Sequence, residues 1–472
     1  MIRLLNVYFP ARTLFLGVSE AFLVSLAFTA ATFARLGAAA AALTLNDLHG
    51  PLKILFMSLT VIACMYYFDL YDSSILGNRR EVLIRLFQVQ GTVYCLLALL
   101  YYVYPPLELG RGISVIGLLF VAMLLFFWRR LFSKINSVSE FADRALILGD
   151  GPLAEFLQLE FESRPELGLR VVGRMPEIGI GNHHVGYERL HPFVNHLGVE
   201  TVEDLSLTVK RIRANRVVVA MDDRRGKLPV DTLLSLKCRG LRVQDGVEVY
   251  EEITGKVPIE SVRLGWLLFS PGCHASRIHL AYKRAASILA SIIGLILSLP
   301  LLPFIILAIK LTSPGAIFYR QRRVGRDGEV FNCYKFRTMR ADAEADIGPT
   351  WASDDDPRIT SVGRFLRMSR LDEIPQLWNV LRGDMSLVGP RPERPEFVDG
   401  LRQKIPYYNL RHTIRPGITG WAQIRYKYGS SMEDAKEKLQ YDLFYIKNMS
   451  LGLDLLIFFQ TIKVILLAKG AK

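Results

Sequence analysis

"AASILASIIGLILSLPLLPFIILAIKL", Ala285 to Leu311, is long enough to cross a bilayer, and the side on which it ends decides where the rest of the chain works. A hydrocarbon core takes about 20 apolar residues. Two features argue for a return rather than a crossing. Arg277, Lys283 and Arg284 precede the run and Lys310, Arg320, Arg322 and Arg323 close or follow it, so both flanks carry the cations that favour the cytoplasmic side. Pro300 and Pro303 fall inside it, where each removes a helix hydrogen bond and clashes with the preceding turn, at about 3 kcal/mol in a straight helix. The sequence therefore predicts a re-entrant hairpin over 285–311 kinked at Pro300, with Ser298 or water meeting the freed carbonyls. The competing reading is a fifth, proline-kinked span, which would put everything after it outside.

Upstream lie four more apolar runs, Thr13 to Ala34, Leu52 to Leu70, Leu86 to Tyr104 and Ile113 to Trp128. Arg3 and Arg12 precede the first, Arg79, Arg80 and Arg85 separate the second and third, and Arg129, Arg130 and Lys134 follow the fourth, so both ends of the set are expected in the cytoplasm. The first residues lack the short apolar core and cleavage site of a signal peptide and read as a retained anchor. Glu20, inside the first span, is expected to snorkel or to pair with a neighbour. The totals agree with a chain partly in lipid and partly in water: 51% of its 472 residues are hydrophobic and 22% charged, with a formal charge of +13. In a membrane setting that excess suits an anionic lipid face or a phosphate-rich substrate. Cysteines 64, 95, 238, 273 and 333 form no CxxC or metal-ligand spacing and imply no disulfide framework.

From about Phe141 short β-branched runs alternate with helical stretches, the pattern of a parallel α/β unit. Gly149, Gly151 and Ala154 fit a G-x-G-x-x-A turn, in which bare backbone can approach a pyrophosphate. The acid that would hold a ribose is missing, since "LRVVGRMPE" places Arg174 and Met175 there. This favours a structural or regulatory Rossmann-like domain over one that holds NAD. His183, His184, His191 and His196 sit among Gly and Asn without acids at metal spacing and read as loop.

Beyond the hairpin, "YRQRRVGRDGEVFNCYKFRTMRADAE" is dense in cations. Its aromatics could suggest nucleic acid, but the segment abuts the membrane and leads to paired carboxylates, and neither feature suits strand binding. Arg364, Arg367 and Arg370 would share one helix face as a phosphate clamp. They run into "SRLDEIPQLWNVLRGD", where Ser369 reads as an N-cap and Pro375 as a first-turn residue, so that a helix begins about where Asp372 and Glu373 stand. The helix end and the arginines are expected to keep both acids ionised. Two anions together call for a cation, and an oxygen-ligated Mg²⁺ carried by a diphosphate is the natural one, one acid on metal and the other facing phosphorus. An ordinary capping pair would explain the acids but not the cations around them.

Together Pro300, "YKFRTM", "SRLDEIPQLWNVLRGDMSLVGPRP", "RPGITGWAQ" and "YDLFYIKNMS" resemble the bacterial sugar transferase family, the monotopic polyprenyl-phosphate phosphoglycosyl transferases, over about Tyr282 to Leu467. The preceding spans and Rossmann-like domain resemble its larger members, and "RLLNVYFPARTL" is similar to the subgroup found with exosortase and PEP-CTERM systems. The resemblance implies transfer of a sugar 1-phosphate from a UDP-sugar to undecaprenyl phosphate, initiating exopolysaccharide synthesis. It makes Asp372 the nucleophile that forms a phosphoglycosyl-aspartate and Glu373 the Mg²⁺ ligand. Lys335, Arg337, Arg367, Arg391 and Arg415 match its motif cations and would neutralise the diphosphate or lipid phosphate. One departure stands out: many members place a small polar residue directly before the hairpin proline, and this chain has Leu299.

The expected architecture is thus a membrane protein of α plus α/β class. A four-helix transmembrane region over 1–135 leads to a Rossmann-like α/β domain over 136–265 and a linker over 266–281. A mainly helical monotopic catalytic domain follows over 282–472, with its re-entrant helix at 285–311. The C-terminal "LGLDLLIFFQTIKVILLAKGAK" carries Asp454, Gln460 and Lys463 in an apolar run and reads as an interfacial helix. The expected location is the bacterial inner membrane, multi-pass, with the catalytic domain on the cytoplasmic face, in contact with membrane lipids and no nucleic acid, a homodimer being left open. Two other functions are compatible with parts of the chain. An NAD-dependent membrane nucleotide-sugar epimerase or oxidoreductase would use the Gly149 turn, though no Tyr-x-x-x-Lys pair accompanies it, and a membrane scaffold would leave the carboxylates inert.

Overall fold

The computed structural model describes residues 1–4, 6–47, 49–72, 75, 79–137, 142–176, 202–225, 227–262, 268–269, 272, 276–340, 343, 356–426, 429 and 431–466. Histidines 183, 184, 191 and 196 lie outside them. The chain divides into two compact units, Met1–Ile2 with Phe9–Gly246, and Arg3–Tyr8 with Val247–Lys472.

After two short strands, β1 (Ile2–Leu4) and β2 (Val7–Phe9), come four apolar helices of the first unit, α1 (Ala11–Asp47), α2 (Gly50–Tyr67), α3 (Arg79–Val103) and α4 (Arg111–Ser137). Each is long and apolar enough to cross a membrane. Gly37, at φ 76°, breaks α1 near its end, a left-handed conformation that costs glycine least. The helices close on Phe28, Met57, Met65, Leu97, Val121 and Leu125, all buried. Across that core Glu20 meets Arg129: Nε donates to Oε1 at 2.6 Å and Nη2 to Oε2 at 3.1 Å. Arg129 Nη1 donates to the Leu70 carbonyl at 2.9 Å, and Trp128 Nε1 to Ser19 Oγ at 2.9 Å. Glu20 therefore pairs rather than snorkels, joining α1, α4 and the end of α2 where hydrocarbon would leave either charge uncompensated.

Next comes a parallel sheet in the order β4 (Leu169–Met175), β3 (Asp143–Leu148), β5 (Arg216–Val219), β6 (Arg242–Asp245). Helices α5 (Pro152–Ser163), α6 (Val202–Arg211) and α7 (Val230–Cys238) accompany it. Strand order reverses at β3, and the glycine turn leaves its end there. That turn is used internally. Gly149 has φ 128°, and a Cβ on it would lie 2.3 Å from the Ala220 carbonyl oxygen. Asp222 Oδ2 stands 2.2 Å from where a Gly151 Cβ would be. Arg174 donates through Nε to Gly149 O at 3.2 Å and through Nη2 to Asp150 O at 2.7 Å. The glycines thus serve close passage of neighbouring loops, and an arginine bonds the turn where a dinucleotide enzyme presents its acid. The epimerase reading finds no support here.

In the second unit α8 (Gly246–Thr254) is followed by α9 (Arg277–Ser298) and α10 (Leu302–Thr312). Pro300 lies in the three-residue break between α9 and α10, and Pro303 in the first turn of α10. Ile296 O accepts from Leu299 N, Ser298 O from Leu301 N, and Ser298 Oγ donates to Leu295 O at 2.8 Å, so the carbonyls around the prolines are met locally. α9 alone is also long and apolar enough to cross a membrane, which makes five such helices among the described residues. The fold is that of a mostly helical membrane protein with an α/β segment.

An antiparallel pair, β7 (Phe318–Val324) and β8 (Val330–Phe336), then leads to α11 (Ser361–Met368) and α12 (Gln376–Arg382). Short parallel strands β9 (Ser386–Val388) and β10 (Gly417–Thr419) flank α13 (Pro395–Lys404). α14 (Trp421–Arg425), α15 (Met432–Asn448) and α16 (Leu451–Leu466) complete the chain. α15 starts with a capping box between Ser431 and Asp434. On α16 the apolar Leu455, Phe458 and Phe459 are exposed, while Asp454 turns inward to Tyr445 and Lys283.

Arg129→Met would strand a buried carboxylate at Glu20. We expect a loss of about 3–5 kcal/mol, measurable as a lowered unfolding midpoint in detergent, whereas replacing exposed Arg130 should leave the midpoint near that of the parent.

Candidate active site

Antiparallel pairing across β7 and β8 sends Cys333 and Lys335 to the interior face of the hairpin. The chain leaving β8 passes directly under α11. Thr360 Oγ1 accepts from Gly363 N at 2.9 Å and caps that helix. A Cβ on Gly363 would lie 2.0 Å from Thr338 O, so only glycine permits this approach. Arg367, in the last turn, donates through Nε to Thr338 Oγ1 at 2.9 Å.

α11 stops at Met368, and two expectations fail at that point. Ser369 ends α11 instead of capping the next helix, and its hydroxyl bonds back to Phe365 O at 2.8 Å. Arg370 takes a left-handed φ of 58° and leaves the face that Arg364 and Arg367 occupy. The reason is local: Thr360 has already begun a helix, and the chain must reverse to enter the next. A 3₁₀ turn, Leu371–Glu373, follows, and α12 begins only at Gln376. The two acids therefore stand on a tight turn ahead of the helix, where neighbouring side chains diverge by about 120°.

Both acids are buried, Asp372 at 6% and Glu373 at 7% exposure. Glu373 Oε1 accepts from Lys335 Nζ at 2.9 Å and from Arg391 Nη2 at 2.9 Å. Asp372 Oδ2 lies 3.9 Å from Lys335 Nζ, and among the described residues no donor bonds its carboxylate. The electrostatics differ accordingly. Burial raises the pKa of Asp372, Lys335 opposes the rise and Glu373 adds to it. Burial acts the same way on Glu373, but Lys335, Arg391 and Arg370 overcome it and hold that acid well below the usual carboxylate range. The two acids are thus not held alike: Glu373 is a pinned anion, and Asp372 is a buried carboxyl to which no donor among the described residues bonds.

Of the expected cations, Lys335 and Arg391 gather at Glu373, and Arg367 acts on Asp372 through its charge. Arg337 does not join them. It lies beyond the last residue of β8, and its buried guanidinium donates to Ser313 O at 2.6 Å and Pro314 O at 2.9 Å, holding the exit from α10. Arg415 is exposed; the burial it does have, and then the nearby charges of Arg284 and Arg326, lower its pKa, and no described ion pair connects it to the acids. The sequence reading missed Asn379. Its Nδ2 donates to Asn332 O at 2.7 Å and to Asp384 Oδ2 at 3.1 Å, and its Oδ1 accepts from Tyr334 N at 3.1 Å, so α12 grips β8 just beside Lys335. An amide within the apolar "LWNVL" was the available signal.

Among the described residues no group of three or more His, Cys, Asp or Glu could hold a metal ion. The two adjacent carboxylates fit Mg²⁺ as hard oxygen donors, since that ion is commonly bound by one or two carboxylates with water and substrate phosphates completing its shell.

The family model of bacterial sugar transferases matches residues 278–468. A UDP-N-acetylgalactosamine-undecaprenyl-phosphate N-acetylgalactosaminephosphotransferase of Aeromonas hydrophila is 45% identical over 228 residues, 48% of this chain and 52% of that protein. The UDP-glucose:undecaprenyl-phosphate glucose-1-phosphate transferase of Escherichia coli K12 is 36% identical over 330 residues, 67% of this chain and 66% of that one. The exopolysaccharide production protein PSS of Rhizobium leguminosarum is 40% identical over 188 residues, 94% of its length. The chain belongs to the bacterial sugar transferase family. Its matches span 52% and 66% of the first two relatives' own lengths. The site just described falls inside the family region.

Asn379→Ala would leave Tyr334 N and Asn332 O without their partner inside the protein. A destabilisation of about 1–3 kcal/mol is expected, read from chemical unfolding in detergent, and no loss would mean that α12 does not hold β8 through this amide.

Proposed function

We propose that the protein transfers a sugar 1-phosphate from a UDP-sugar to undecaprenyl phosphate at the cytoplasmic face of the bacterial inner membrane, as the first step of exopolysaccharide synthesis. The observation that carries this reading is the asymmetry of the acid pair: Glu373 pinned by Lys335 and Arg391, Asp372 buried beside them with no hydrogen bond to its carboxylate among the described residues.

An Asp372 carboxylate oxygen attacks the β-phosphorus, the bond from that phosphorus to the oxygen bridging the two phosphates breaks, and UMP departs with the electron pair. The sugar phosphate is then held on Asp372 as an acyl phosphate. A phosphate oxygen of undecaprenyl phosphate attacks the same phosphorus, the bond to Asp372 breaks, and the carboxylate is regenerated. Dividing the transfer in two lets each substrate react in turn with one positioned group. Burial removes the water that would weaken Asp372 as a nucleophile and would hydrolyse the intermediate. Lys335 and Arg391 offset charge on the transferring phosphoryl group, with Arg367 a further cation for it. Bound Mg²⁺ would add to that neutralisation, held by Glu373 and the diphosphate. Arg415 is available for the lipid phosphate.

Membrane placement is supported by the way α9 and α10 both fold back on one body. Near the start of α9, Arg284 donates to Val380 O and Leu381 O, and Ser287 bonds Ser386 at 3.2 Å. At the far end, Ile305 and Ile309 of α10 pack on Phe336 and Leu366. A straight crossing would part the two ends by about 30 Å. The apolar Leu297, Leu299, Leu301 and Phe304 around the break are exposed, as suits a hairpin tip in hydrocarbon. With four crossings upstream this gives a re-entrant fifth element. The exposed apolar side of α16 would lie at the lipid surface.

Membranes incubated with radiolabelled UDP-sugar and undecaprenyl phosphate are expected to yield UMP and a lipid-linked product; UDP in place of UMP would contradict the reading. Asp372→Asn should abolish turnover with either of the relatives' sugars, and donor alone should leave sugar phosphate on Asp372, visible by mass spectrometry. Because burial raises the Asp372 pKa, its reactive anion is lost at a higher pH than an ordinary aspartate's, near 4. The kcat/KM profile, which reports ionisations of the free enzyme, should therefore fall on acidification with a midpoint above that value, and a midpoint at or below it would count against Asp372 as the nucleophile.

A further inference from the structure

The loop that presents Arg391 is held by its own backbone. Between β9 and α13, four successive carbonyls each accept a hydrogen bond from a different place: Pro390 O from Gly417 N, Arg391 O from Arg411 Nη2, Pro392 O from Arg323 Nη1 and Glu393 O from Val324 N, all at 2.9 Å. Two of the donors are backbone amides whose strands fix them. Arg323 has a second hold on the loop through Glu393, 3.5 Å away. Arg411 is the donor at the carbonyl of Arg391 itself.

Arg411 is unusual in its surroundings. It is buried, in a 3₁₀ turn over Tyr408–His412, and its Nη1 donates to Tyr408 Oη at 2.6 Å. Its Nη2 also lies 2.9 Å from Asp442 Oδ2, on α15, which is 2% exposed. A buried charged pair of this kind is expensive to desolvate, and packing alone could be served by apolar side chains. What apolar side chains could not supply is a donor in the plane of the fork, aimed at one particular carbonyl.

We propose that Arg411, with Asp442 as its counter-charge, is a positioning residue for the phosphate site: it fixes the backbone of Arg391 so that the guanidinium of Arg391 meets Glu373. It touches neither acid. Its effect passes through one carbonyl to the side chain that shares Glu373 Oε1 with Lys335. The inference rests on the transferase reading above, since the quantity it controls is the rate of that transfer.

The test uses the full-length protein in detergent, UDP-sugar and undecaprenyl phosphate, with UMP release as the readout and the parent enzyme as control. No UMP from the parent would fail the transferase reading, whatever the variants do. Given an active parent, R411K keeps a charge opposite Asp442 but cannot fork to Tyr408 and Arg391 O together; kcat should fall about tenfold or more, the size expected for one charge-assisted hydrogen bond, with KM for the donor little changed. R411M should unfold at lower temperature because Asp442 is stranded, and adding D442L should return the melting temperature towards the parent's. The proposal requires turnover of R411M/D442L to stay low although stability recovers. Recovery of turnover along with stability would show a merely structural pair and overturn it, as would an R411K enzyme with parental kcat. Should the double variant remain unstable, R411K decides alone.

Discussion

One carboxylate oxygen, Glu373 Oε1, is shared by Lys335 and Arg391. The three residues come from a strand, a 3₁₀ turn and a loop, and the buried anion gives each of those segments a reason to be where it is. Removing any partner leaves charge without solvent or counter-charge, which is why such groups hold together strongly even when they add little net stability. The arrangement also determines what Asp372 can be. With its neighbour bonded to Lys335 and Arg391, Asp372 is buried under the charges of Lys335, Arg367 and Arg370, and no donor among the described residues bonds its carboxylate. That is the condition the proposed nucleophile requires.

The framework around this group is built for close approach. Gly363 lets α11 pass against Thr338, Asn379 grips the backbone on both sides of Cys333, and Arg284 occupies the carbonyls at the end of α12. α12 thus links α9 at one end to the acids at the other. The carbonyl ladder from Pro390 to Glu393 does for the Arg391 loop what Asn379 does for β8. In each case a polar side chain inside the fold is spent on backbone position.

The first unit shows the same glycine pattern that elsewhere admits a dinucleotide, put to another use. Gly149 and Gly151 make room for Ala220 and Asp222, and Arg174 bonds the turn that a pyrophosphate would need. A glycine fingerprint specifies close approach of something to bare backbone; it does not specify that the something is a ligand. In the helices of the same unit, Glu20 and Arg129 show why an intramembrane charge need not mark a transport path.

The sequence by itself determined the class of molecule. Apolar runs of sufficient length, the prolines at 300 and 303, and the adjacency of Asp372 and Glu373 are local facts, and a chain bearing them must form membrane helices, break one of them and present two acids together. Ordered motifs likewise pointed to the family. What local pattern could not decide was which cation meets which acid. Lys335 and Arg337 sit two residues apart in one motif, yet one reaches Glu373 and the other bonds carbonyls at the hairpin exit. Arg370 looked helical until the reversal into the 3₁₀ turn removed it from that face, Asn379 carried no signal beyond being an amide in apolar company, and Arg411 stood among polar neighbours with nothing to single it out. Ion pairing and burial depend on distances between segments remote in the chain, and only the folded backbone sets those distances.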